Sequence, residues 1–316
     1  PFVIGGLALA AAGALLMGSA RSAGVLLAGR AVTGLAAGAW VPLVVIFAAL
    51  LPAKEAVRAT SIMTLMSAIA RVFATAVNGK LNEWGGYPLA FTVAAVLAGL
   101  ALLTVLAVPE QRRPGTPPSG RGLLRLAMRR DVLLPALLNG LGQYVNQAIA
   151  FGFTPLVAKS LGANDNTISL LTALHLTVYT PTIFVATLLL RRFRTGVLVY
   201  ASFGALALGA AAAALGTSLP WLMASQALIG VGIGLGYPLL MGLSIAQVDD
   251  TERTTAMGLH QAVYAIGMFG GPWLCGIIAE ALGIPTMFWI TAAMTLVLGV
   301  AGTAYVTGRH SDPQGA

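Results

Sequence analysis

Asn139, Gln143, Asn146 and Gln147 follow one another at increments of four, three and one, which puts four carboxamides on one stripe of a helix within an apolar stretch. Each carboxamide brings two donors and an acceptor oxygen. Such groups are costly in hydrocarbon, so they either face a cavity and bind a polar ligand or hydrogen-bond between helices. The continuity of the stripe favours cavity lining. On the following segments, His175 and Tyr179 form an i, i+4 pair, and His260, Tyr264 and Gly267 continue the pattern beside Gln261. An imidazole titrates near neutral pH, so these side chains are candidates for substrate binding or proton relay, with hydrogen-bonded packing as the alternative. Gln226, Tyr237 and Trp273 are further candidates on the same grounds. Two histidines on different helices, with no carboxylate or thiol at ligand spacing, predict no metal site.

Arg30 and Arg71 are cations inside apolar runs, and no Asp or Glu lies deep in any run to neutralise them. Arg71 shares a helical face with Thr64, Ser67, Thr75, Asn78 and Asn82, a surface suited to an anionic group of a substrate. Snorkelling to the interface or capping of helix carbonyls is the structural alternative for both arginines.

These residues need helices in lipid to position them. With 58% hydrophobic and 9% charged residues over 316 positions, the chain has too few polar side chains to cover a water-soluble globule. Apolar runs long enough to span a bilayer occur at 1–18, 24–50, 60–82, 88–108, 132–158, 167–190, 196–216, 220–246, 255–282 and 285–307. This predicts an all-α membrane protein with ten transmembrane helices. The net charge of +8 sits in short connectors rather than on one basic face, which argues against a nucleic-acid partner. Cys275 is the single cysteine, so no intramolecular disulfide forms. Gly230, Gly232, Gly234 and Gly236 follow no strand and precede no suitably placed acid, so they are not a dinucleotide site. No P-loop occurs, and no cofactor is expected.

Alternate connectors differ in basicity. Lys54, Arg58, Arg112, Arg113, Arg121, Arg125, Arg129, Arg130, Arg191, Arg192, Arg194, Arg253 and Arg309 fall in one set, and only Arg21, Lys80 and Lys159 in the other. The positive-inside bias predicts that the first set and the C-terminus are cytoplasmic. The polar, Pro-containing stretch 109–131 reads as a linker between a half at 1–108 and a half at 132–316, with Gly122 to Arg130 as a short amphipathic surface helix.

Arg30, Gly34, Gly38 and Pro42 are echoed by Gln226, Gly230, Gly234 and Pro238 at the same spacing, pairing the second apolar segment with the eighth. A shift of six helices gives the fifth and sixth segments counterparts that would precede Pro1, so a six-plus-six architecture is expected, with two helices upstream. Small residues at Gly34, Gly38, Gly230, Gly234, Gly267 and Gly271 predict close helix packing, and Pro42, Pro238 and Pro272 predict bends. The segments at 1–18, 88–108, 196–216 and 285–307 are nearly devoid of polar residues, which predicts that the pairs between them line an aqueous path.

At this point the chain resembles the major facilitator superfamily, over its whole length, as helices three to twelve of a twelve-helix transporter. Leu27 to Leu35, with Arg30 four residues before Gly34, is similar to the family's fourth-helix motif. Gly267 to Gly276, containing Gly270, Gly271 and Pro272, is similar to the Gly-Pro motif that antiporter subfamilies carry on the fifth helix. The fifth-helix equivalent here, Ala70 to Gly79, lacks the Pro and most of the glycines. The resemblance implies alternating-access transport of a small organic solute by a monomer in the bacterial inner membrane. It also implies that Arg30 couples to an acidic residue or a proton-linked network, with the proton gradient driving export. Uptake or facilitated diffusion of an anionic or sugar-like metabolite is the alternative, carried by Arg71 and the amide stripe. An intramembrane enzyme with His175 or His260 as base lacks any supporting motif.

Overall fold

The computed structural model describes residues 2–40, 43, 56–107 and 125–308. Every regular element among them is helical: α1 (Phe2–Gly18), α2 (Ala23–Ala36) continuing as a 3₁₀ turn (Ala37–Ala39), α3 (Ala56–Leu106), α4 (Arg130–Val145), a π segment (Asn146–Phe153), α5 (Thr154–Ser160), α6 (Asp165–Leu189), α7 (Thr195–Ala214), α8 (Leu219–Ile245), α9 (Asp250–Leu282) and α10 (Ile284–Gly308). Pro42 and most of the 109–131 linker lie outside the described residues.

The helices follow the apolar runs because a chain in hydrocarbon must satisfy its backbone internally. Even hydroxyls comply: Thr295 donates to the Thr291 carbonyl at 2.6 Å and Thr303 to that of Gly299 at 2.6 Å. Breaks occur where the sequence supplies special backbone. Gly86 at φ 68° divides α3 into two arms, and Gly283 at φ 84° ends α9, its N–H bonding the Ala279 carbonyl at 2.9 Å.

Six described helices are long and apolar enough to cross a membrane, against ten runs in the sequence. The difference has local causes. The 41-residue stretch Met66–Leu106 holds two of the predicted spans, while Phe2–Gly18 and Ala23–Ala39 are shorter apolar helices. The run 132–158 is cut by its π segment into α4, the π turn and α5.

Two compact units result. The first comprises Pro1–Gly115 with Asp165–Ser169, and in it α1 packs on α2 and α3. The second comprises Thr116–Asn164 with Leu170–Ala316. Its core is built where α7 packs on α8 and α10 and where α4 packs on α8 and α9, around Phe203, Leu206, Ile229, Ile149 and Phe288. The polar-poor α7 packs one face on α8 and α10 through Phe203 and Leu206 and leaves Val197 and Leu208 exposed on the other. Of the short helix expected at 122–130, residues 122–124 lie outside the described residues and 125–127 are helical; Leu126 is fully buried against Val132, Val248 and Ala256, and Arg125 pairs with Glu252.

Candidate functional site

Most of the candidate residues gather in the second unit, on α4 with its π segment, α6, α8 and α9. A π turn shifts the backbone from i→i+4 to i→i+5 bonding and leaves a carbonyl needing another donor. Gln226 of α8 supplies it: its Nε2 donates to the Ala150 carbonyl at 2.8 Å. The Gln226 carbonyl in turn faces His175 Nδ1 at 3.2 Å, and because a carbonyl only accepts, Nδ1 carries the proton. The His175 ring meets the edge of Phe151 at 5.3 Å and stacks with Tyr179 at 6.3 Å. Gln226 thus ties the π segment to α6.

A second network crosses three helices nearer the start of α4. Asn139 Nδ2 lies 2.7 Å from His260 Nε2, Ser244 Oγ lies 2.7 Å from His260 Nδ1, and Ser244 Oγ is 3.1 Å from the Val132 carbonyl. The Val132 oxygen fixes the polarity of the chain. Ser244 must donate to it, His260 Nδ1–H then donates to Ser244, and Nε2 accepts from Asn139. This holds His260 as the neutral Nδ1–H tautomer.

The amide stripe takes part in these contacts. Asn139, Gln143 and Asn146 are buried, and Asn146 Nδ2 donates to Gln143 Oε1 at 3.2 Å. Three of the four amides therefore sit inside the helix bundle as interhelical and local bonding groups, and only Gln147 is partly open. Donors are used and acceptors are left over: Asn139 Oδ1, Asn146 Oδ1 and Gln226 Oε1 are buried with no partner among the described residues.

The accessible polar surface lies on α8 and α9. Gln261 is exposed and donates through Nε2 to the Tyr237 hydroxyl at 3.3 Å, while the Tyr237 and Tyr264 rings meet edge to face at 5.6 Å. This uncharged patch of two phenols and an amide can accept and donate hydrogen bonds and can stack against a planar solute. Its backing is rigid because α9 presses on α4. A side chain at Gly267 would run into the Gly140 backbone, and one at Gly271 into that of Tyr144.

Gly230 and Gly234 likewise admit α6: a Cβ there would come within 2.8 Å of the His175 carbonyl and 2.9 Å of that of Tyr179. Gly34 and Gly38 differ from their repeat partners in that nothing described lies within 4 Å of either added Cβ. Pro238 and Pro272 lie within helices that run continuously through them, and Trp273 is exposed beside Phe269. In the first unit, Arg30, Arg71 and Asn78 are exposed, and neither guanidinium has an ion-pair or hydrogen-bond partner among the described residues. No group of three or more His, Cys, Asp or Glu side chains comes together among the described residues.

Ser244 escapes the sequence reading, because a lone serine 16 positions before His260 has no helical relationship to it. The same holds for Tyr144, Cys275 and Thr291, whose buried side chains meet with Cys275 Sγ 3.1 Å from the Tyr144 hydroxyl.

The chain matches the sequence profile of the Major Facilitator Superfamily over residues 1–145 and 136–316. It is 30% identical over 176 residues to the lincomycin resistance protein LmrB of Bacillus subtilis, covering 55% of this chain and 36% of that protein. Over 84 residues it is 30% identical to the uncharacterized MFS-type transporter MJ1560 of Methanocaldococcus jannaschii, covering 27% of this chain and 22% of the relative. The matches thus span about a third or less of the curated relatives' length. Its fold is similar to that of a POT family transporter solved with 5-aminolevulinic acid, with a TM-score of 0.82 at 10% identity, covering 97% of this chain and 81% of the other. It is also similar to the transporter FucP in its outward conformation, with a TM-score of 0.62 at 15% identity, covering 96% and 82%.

Proposed function

The chain belongs to the major facilitator superfamily, and from that premise we propose that it moves a small organic solute across the membrane by alternating access, exporting it in exchange for protons. The family places it among membrane transporters rather than enzymes. The observation that carries the site assignment is the half-open Tyr237, Gln261, Tyr264 patch, backed by a buried and neutral hydrogen-bond network. A solute held there meets phenol and amide groups and no formal charge, which suits a neutral, hydroxyl- or amide-bearing molecule with an apolar face. Export is the direction suggested by the name of the resistance relative. Coupling to protons, the C-terminus on the cytoplasmic side, residence in a bacterial inner membrane and action as a monomer complete the reading.

Radiolabelled or fluorescent solute flux into proteoliposomes tests the site. Tyr237→Phe and Gln261→Leu each remove one hydrogen-bonding group, and each is expected to weaken apparent affinity by about three- to tenfold. Unchanged affinity in both variants would move the site elsewhere. A second reading, transport of an anionic metabolite, rests on the exposed Arg71 guanidinium, which has no ion-pair or hydrogen-bond partner among the described residues. It predicts loss of anion affinity in Arg71→Gln with the α8 and α9 variants unaffected.

A further inference from the structure

One cleft in the second unit is used by none of these groups. It measures about 580 Å³ and opens where the start of α4 meets the ends of α8 and α10. Its polar side holds Arg129, Arg130, Asp131 and Tyr305, and its apolar wall is Leu134, Pro135 and Val306.

The two arginines are held differently. Arg129 grips Asp131 through Nε at 3.2 Å and Nη2 at 2.6 Å, and Nη2 also donates to the Gln247 carbonyl at 2.7 Å. Both Asp131 oxygens are thereby engaged, and the mutual contact lowers the carboxyl pKa, so the acid stays ionised and committed. Arg130 bonds Tyr305 Oη through Nη1 at 3.1 Å and has no carboxylate partner among the described residues. Asp249 also lies close enough to act on the Arg129 charge, so the two nearby carboxylates are both on the Arg129 side, and Arg130 is the guanidinium left with unclaimed donors among the described residues. The remaining Nε and Nη2 donors of Arg130 form the fork that matches phosphate oxygens.

We propose that this cleft binds the phosphodiester headgroup of an anionic membrane lipid. Arg130 is the recognising cation, Tyr305 orients it, and the Arg129–Asp131 pair fixes the rim. The position favours a lipid over free phosphate. Arg129, Arg130 and Asp131 stand just before the apolar run 132–158, and Tyr305 and Val306 lie near the end of the run 285–307, so the cleft sits at the depth where headgroups meet hydrocarbon, and Leu134, Pro135 and Val306 offer the first acyl carbons a dry wall. This site is independent of the solute patch on α8 and α9.

The test uses the whole protein in nanodiscs of phosphatidylcholine doped with phosphatidylglycerol, followed by native mass spectrometry of lipid carried on release. Retention of phosphatidylglycerol over phosphatidylcholine is expected, falling about fivefold or more in Arg130→Gln and staying unchanged in Arg191→Gln, an exposed arginine of the α6–α7 connector. Equal loss in both variants would reduce the effect to general surface charge and overturn the proposal. Displacement of the lipid by inorganic phosphate alone would make this a free-phosphate site and overturn the lipid assignment. If Arg130→Gln does not purify folded, Tyr305→Phe decides: reduced phosphatidylglycerol preference supports the cleft, and unchanged preference rejects it.

Discussion

Asn139 Nδ2 and His260 Nε2 stand 2.7 Å apart although 121 positions separate them in sequence. Their contact joins α4 to α9 and, through Ser244, to α8. Removing one partner leaves buried polar atoms unmatched, at a cost of about 1–3 kcal/mol. His260→Phe is therefore expected to lower thermal stability in detergent. The double variant Asn139→Leu with His260→Phe should lose less than the sum of the two single variants, because the second change removes the group the first one orphaned. Strict additivity in the melting data would show that the pair does not interact.

The approach of α9 to α4 makes a second stability prediction. Gly267→Ala drives a methyl group into the Gly140 backbone and is expected to cost on the order of 1–3 kcal/mol. Gly34→Ala, with open space around it among the described residues, should be neutral or slightly stabilising, as expected for a helical Gly→Ala change. Thermal unfolding of the two variants side by side checks the contrast.

Gln226 is the lateral donor to the π segment. Gln226→Leu keeps much of the volume but removes the bond to Ala150, so faster amide exchange is expected at 146–153 with little change in α7. Hydrogen–deuterium exchange followed by peptide mapping reads this directly, and exchange spread evenly over the unit would contradict it.

At the water-exposed end of α4, the Arg129 guanidinium holds the Asp131 carboxyl below its ordinary value. A lowered folded-state pKa stabilises the fold above the unfolded carboxyl pKa of about 3.9, and that contribution disappears as pH falls through the folded value. Wild type should therefore lose stability in acid more steeply than Asp131→Asn, with the two melting curves converging below about pH 4. Parallel curves from neutral pH downward would show that the pair contributes nothing.

How far the sequence carried these conclusions varies by residue. The apolar runs located the helices because lipid leaves few other backbone solutions, and Gly230, Gly234 and Gly267 were legible as close-packing positions because small side chains are the means of such contact. The π segment was not legible, since over eight residues a period of 3.6 and a slightly wider turn produce the same apolar pattern. The amide stripe was legible, but the partners of its side chains, such as His260 for Asn139, were not. Which way a polar stripe faces depends on the register of α4 against α9, and that is set by contacts such as Gly140 with Gly267 that no local spacing encodes. Ser244 was invisible for the same reason, whereas Tyr237, Gln261 and Tyr264 were legible as polar residues and needed the fold only to bring them together.

The central claim, proton-coupled movement of a solute through the α8–α9 patch, is tested most directly by recording internal pH in proteoliposomes containing the protein when solute is added. The account predicts solute-dependent proton flux opposite to solute movement, reduced in Tyr237→Phe and Gln261→Leu as solute affinity falls. Solute movement at full rate with no accompanying change in internal pH would contradict it.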